Sequence, residues 1–155
     1  MYKTIWVMED DIEVIKDPLI ISDLIRKLDD TVGVEGWDIL FTDKDTKDQN
    51  GNYIICRSTA PRPNFSPSNT DKYRLEPEVI NKFFKKIFTR YGAYSMIIRR
   101  SGMKKILDFI KKYHVFLPYD LEFPIVPNIQ MYCVTEDVVS TRINAESDNA
   151  SQGYK

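Results

Sequence analysis

Ile5-Trp6-Val7-Met8-Glu9-Asp10-Asp11-Ile12, printed IWVMEDDI, is the stretch on which the reading of the fold turns. Residues 4–8 form a short run without alternation, four of them apolar, the pattern of a strand covered on both faces of an α/β sheet. Three adjacent carboxylates then follow where such a strand ends, and open α/β sheets bind ligands at the carboxyl ends of their strands. Like charges this close push a carboxyl pKa up unless a cation joins them. Mg2+ and Mn2+ take one or two protein carboxylates and complete their shell with water and substrate phosphate. A metal–phosphate site at Glu9, Asp10 and Asp11 is one reading; an exposed acidic turn that opens a loop is the other.

Downstream, the pattern alternates between helix and strand. Asp17-Pro18 supplies an N-cap and a proline at the first helical position, and Leu19, Ile20, Leu24, Ile25 and Leu28 follow at helical spacing. This predicts a helix over 18–29, with Gly33 and Gly36 marking its exit and 37–42 as the next strand. The segment 43–52 fails as a calcium loop, because its fifth and sixth positions are Lys47 and Asp48. It reads as a solvated hairpin loop, with 53–56 returning as a strand. Prolines 61, 63 and 67 make 58–69 a long irregular stretch, and 78–87 reads as a short helix. A strand over 93–98 leads through Ser101-Gly102 into a second helix. Met103, Ile106, Leu107 and Ile110 form its apolar stripe; Lys104, Lys105, Lys111 and Lys112 are expected to face water. His114, at that helix's C-terminal end, suits a dipole-stabilising cap better than catalysis. A last strand is expected over 129–134.

With 155 residues, the chain suits one domain with an apolar core, here 1–144 followed by a flexible tail over 145–155. Hydrophobic and charged fractions of 43% and 29% are those of a globular protein. A net charge of −1 gives no electrostatic case for nucleic acid as a partner. Aromatics reach 12%, which serves a Phe/Tyr-rich core or, alternatively, a surface for stacking sugars or bases. Cys56 and Cys133 lie apart in apolar runs, as free thiols do, without zinc or redox spacing. No apolar run reaches a bilayer's width, and Met1-Tyr2-Lys3 leads directly into the first strand. A cytoplasmic protein without a transmembrane segment is expected.

The acidic stretch after the opening strand resembles the metal-binding motif of glycosyltransferase family 25, the lipopolysaccharide and collagen sugar transferases. Further stretches resemble the family in the same order: Trp37-Asp38-Ile39-Leu40; Gly92 to Ile98 with Ser101 to Leu107; Leu117-Pro118-Tyr119-Asp120; and Ser147-Asp148. The resemblance implies a GT-A-like mixed sheet with flanking helices, whose N-terminal nucleotide-binding part is missing. It implies inverting transfer of a sugar, often galactose, from a UDP-sugar donor to a glycan acceptor such as lipopolysaccharide, at the inner membrane's periphery. Glu9 and Asp11 would hold Mn2+ or Mg2+; Asp10, Tyr94 and Asp148 would touch substrate. Asp120, and after it Glu122, is the expected base, with a loop-fixing role as the alternative for both. A non-catalytic, truncated glycosyltransferase-like subunit or binding protein is the rival. A nucleotidyltransferase is disfavoured, since no glycine-rich phosphate loop is present. Loss of a neighbour beside residues 4–8 would leave a hydrophobic edge, and homo-oligomers through that edge are expected.

Overall fold

The structure is a computed structural model, described for residues 2–10, 12–44 and 63–141. The expected strand 53–56, most of the 43–52 loop and the tail 145–155 lie outside the described residues. In chain order the elements are β1 (Thr4–Met8), β2 (Ile12–Val14), α1 (Ile20–Val32), β3 (Ile39–Phe41), β4 (Glu78–Val79) and β5 (Phe84–Ile87). There follow β6 (Ser95–Arg99), α2 (Arg100–Tyr113), the single turn α3 (Tyr119–Glu122), β7 (Met131–Val134) and β8 (Val139–Thr141). Six strands form one mixed sheet in the order β1-β6-β3-β7-β5-β4, and β2 pairs with β8 in a separate ribbon. Among the described strands of this sheet, only β3 and β7 pair in parallel. The fold is α/β, a mixed sheet with flanking helices.

Two-residue periodicity divides the core. Ile39 and Phe41, Met96 and Ile98, and Met131 and Cys133 face one side, where Ile106 and Phe109 of α2 cover them. Leu40, Ile97, Tyr132 and Val134 face the other side and meet Ile21, Leu24 and Leu28 of α1. Both helices therefore contribute a 3.6-period stripe to a sheet buried on both faces, as β3, β6 and β7 are.

Local chemistry explains the helix ends. Asp17 Oδ1 accepts from Leu19 N–H at 2.9 Å, Pro18 and Leu19 form the entry turn, and α1 extends to Val32. Gly33, at φ 86°, ends it by donating to Asp29 O at 2.9 Å, a conformation that β-carbon-bearing residues adopt only under strain. Asp29 also accepts from Trp37 Nε1 at 2.7 Å and pairs with Arg99, whose guanidinium lies 4.2 Å from the Trp37 ring centre. Gly102 lets α2 approach β3, for a β-carbon there would stand 2.8 Å from Asp38 O.

Four expectations change. β1 is not covered on both faces: it is the outermost strand, and Ile5, Val7 and Met8 remain 38%, 37% and 44% exposed. The helix expected over 78–87 is the β4–β5 hairpin, turned by Asn81 Oδ1, which accepts from Phe83 N–H and Phe84 N–H at 2.8 and 3.1 Å. Leu107 is exposed and Phe109 is buried, which rotates the buried stripe of α2 away from the expected line. Lys105 is not solvated like Lys104: its ammonium donates to buried Asp38 Oδ2 at 2.6 Å and to Asn128 O at 2.9 Å.

Candidate functional site

β1 and β3 both run antiparallel to β6, and β7 runs parallel to β3, so the carboxyl ends of β1, β3 and β7 share one rim of the sheet. Glu9 and Asp10 leave β1 at this rim, Asp43 leaves β3, and Tyr94 precedes β6 there. The backbone binds these ends together: Glu9 N–H donates to Tyr94 O at 2.9 Å and Thr42 N–H to Ser95 O at 3.1 Å. Buried Ser95 joins the side chains, since its Oγ lies 2.5 Å from Thr42 Oγ1 and accepts from Trp6 Nε1 at 2.8 Å.

Arg90 is the unexpected centre of the rim. It is 1% exposed, its ring-facing guanidinium lies 4.4 Å from the Phe41 centroid, and it pairs with Asp43. Its Nε donates to Gly92 O at 3.1 Å and its Nη2 to Lys44 O at 3.3 Å. Burial raises the Asp43 carboxyl to about 6, more than the adjacent guanidinium lowers it, and Asp137 pushes the same way. Arg90 Nη1 and Asp43 Oδ1 are buried and find no hydrogen-bond partner among the described residues.

Tyr94 is partly buried beside them. Burial lifts its phenol above the usual tyrosine value; the charges of Asp43, Glu9 and Asp120 add to this and Arg90 opposes it. Three carboxylates and one guanidinium therefore bear on a single hydroxyl. Gly92, at φ 80°, makes room for the ring, because a β-carbon there would stand 2.4 Å from Tyr94 ring atoms.

The two expected bases sit differently. Asp120 is partly exposed and oriented by backbone amides, Gly92 N–H reaching Oδ2 at 2.9 Å and Leu121 N–H reaching Oδ1 at 3.0 Å. Glu122 is 2% exposed, and its Oε1 accepts from Phe116 and Leu117 N–H at 2.7 Å each, which holds the loop between α2 and α3. A carboxylate closed from solvent in this way is a loop anchor, the alternative the sequence had left open. Glu9 and Asp10 are exposed; Asp11 and Asp148 lie outside the described residues.

Among the described residues no group of three or more Asp, Glu, His or Cys side chains is arranged to hold a metal alone. Glu9 and Asp10 nonetheless offer hard oxygen donors at the rim, a donor set that fits a divalent cation completed by water and phosphate. Asp43, Arg90 and Asp137 were missed in the sequence. Arg90 and Asp43 stand 47 residues apart, and neither belongs to a local motif. No described helix is long and apolar enough to cross a membrane. No family model, curated protein or solved structure matches the chain.

Proposed function

We propose that this chain is a GT-A-like sugar transferase similar to glycosyltransferase family 25, acting on a UDP-sugar and a glycan acceptor. The observation that carries this reading is that Glu9, Asp43 and Tyr94 stand at one carboxyl rim of the strands, with Glu9 N–H bonded to Tyr94 O and Asp120 held to Gly92 N–H two residues before Tyr94. Such a rim is where α/β sheets take ligands, and its excess of carboxylates suits a ligand that arrives with a divalent cation. Glu9 and Asp10, with Asp11, would hold Mn2+ or Mg2+; when bound, the cation supplies charge compensation to a departing diphosphate.

The chain's own residues have separate tasks. Asp120, oriented by Gly92 and Leu121 N–H, keeps a free lone pair on each oxygen and would accept the proton of an acceptor hydroxyl. Tyr94, held protonated by burial and by its acidic neighbours, would donate a hydrogen bond to a sugar or phosphate oxygen. Arg90 would keep the Asp43 end of the rim rigid rather than touch substrate, since it is buried. A second reading, binding of a sugar nucleotide without turnover, is favoured by Glu122, which is closed from solvent with one oxygen taken by two backbone amides.

Thermal unfolding with Mn2+ and UDP-galactose or UDP-glucose, alongside an assay for released UDP, tests both. Saturation at about a hundred times the dissociation constant stabilises by about 2.7 kcal/mol, or roughly 5–10 °C in a chain this long. A shift with UDP release supports transfer; a shift without release supports the binding reading. A flat response to every combination removes both.

A further inference from the structure

The outer edge of β1 carries an inference that does not depend on the sugar-transfer reading. No described strand pairs with that edge. On the inner side, Arg100 N–H donates to Lys3 O at 2.9 Å and Glu9 N–H to Tyr94 O at 2.9 Å, so the odd residues of β1 bond to β6. By strand alternation, Thr4, Trp6 and Met8 direct their N–H and C=O groups outward. This outward row contains no charge, no proline and no bulge, the devices that normally blunt an edge strand.

The side chains of the same stretch are self-complementary about Trp6. An antiparallel copy centred on Trp6 sets Thr4 opposite Met8 and Trp6 opposite Trp6 as hydrogen-bonded pairs, which is the class the outward groups require. It sets Ile5 opposite Val7 and Lys3 opposite Glu9 as non-hydrogen-bonded pairs, the class in which side chains stand closer. All four of these residues lie on one face, in the order charged, apolar, apolar, charged. The exposed Ile5 and Val7 would cover one another, and each end would carry an opposite-charge pair. Shifting the centre to Thr4 sets Lys3 against Ile5, and shifting it to Met8 sets Val7 against Glu9. Neither alternative matches charge with charge.

We infer that two copies of this chain associate through β1, antiparallel and centred on Trp6, joining their sheets into one of twelve strands. The pairing brings Lys3 of each copy beside Glu9 of the other.

Size-exclusion chromatography with light scattering is the first test: twice the chain mass is expected. Lys3→Glu should weaken the dimer about tenfold by opposing two carboxylate pairs, and adding Glu9→Lys should restore it. Register is read separately, in a Cys56→Ser background, by mixing an Ile5→Cys chain with a Val7→Cys chain under oxidation. Cα atoms about 4.5 Å apart in a non-hydrogen-bonded pair suit a disulfide, so the mixed dimer should cross-link well ahead of either chain alone. A monomer at every concentration overturns the inference, as does a dimer indifferent to Lys3→Glu or cross-linking no better in the mixture. A monomer that still responds to Mn2+ and UDP-sugar would overturn this inference and leave the proposed function standing.

Discussion

Replacing Arg90 with Met tests whether the buried pair at the rim holds it together. In the native chain Asp43 titrates near 6, above its ordinary 3.8. Its folded form binds a proton more tightly than the unfolded chain does, so this group's contribution is greatest below 3.8 and falls as pH climbs through 6. Without the guanidinium the carboxyl is pushed further up and stays protonated near neutrality. At about pH 7.5, roughly 1.5 pH units above the native value, the extra cost is about 2 kcal/mol at 1.4 kcal/mol per unit. At about pH 5 both proteins hold the proton and this part vanishes. Losing the stacking on Phe41 and the bond to Gly92 O adds about 1–2 kcal/mol at either pH. Arg90→Met should therefore cost about 3–4 kcal/mol at the higher pH and about 1–2 at the lower. Urea unfolding followed by tryptophan emission, with unchanged slope, measures both. An equal cost at the two pH values, or a larger one in acid, would refute the assignment of Asp43 as the carboxylate that Arg90 keeps charged.

Three further outcomes are expected. Gly92→Ala forces a β-carbon into the Tyr94 ring and a side chain into positive φ; it should lose about 2 kcal/mol and alter the near-UV tyrosine signal. Glu122→Gln should melt close to the native chain and retain any UDP release, because one acceptor oxygen can still take both amides, whereas Glu122→Ala should lose about 2–3 kcal/mol. Loss of release in Glu122→Gln with an unchanged melting point would return that residue to the chemistry. Asp10→Asn, at an exposed position, should change stability by less than about 0.5 kcal/mol yet abolish any shift produced by Mn2+ with UDP-sugar.

Elements whose burial is set by local periodicity were legible in the sequence. α1 and α2 show their stripes, and β3, β6 and β7 show apolar runs because α1 and α2 cover both faces. β1 shows the same run yet lies at the edge, since an apolar pentapeptide looks alike whether helices or nothing cover it. The β4–β5 hairpin looks helical in sequence because Phe84, Ile87 and Phe88 stand at helical spacing; a single asparagine side chain decides otherwise. Lys105 was read as a solvated face because its partner Asp38 lies 67 residues away. Positions of Glu9, Asp10 and Tyr94 near one rim follow from strand ends that the sequence marks, whereas Asp120 is brought there by α3 and its bond to Gly92 N–H. The buried pair beneath them depends on a contact across 47 residues that no local pattern announces.

The sheet that separates two packed layers also partitions the chromophores. The chain has two tryptophans, and both Trp6 and Trp37 pack on the α1 side, whereas the contacts among Phe65, Phe109 and Tyr113 gather on the α2 side. Indole emission thus reports directly on the α1 half, and on the α2 half only through cooperative unfolding. Comparing it with far-UV circular dichroism, which sees both helices, during a melt would reveal whether the halves come apart in one step or two.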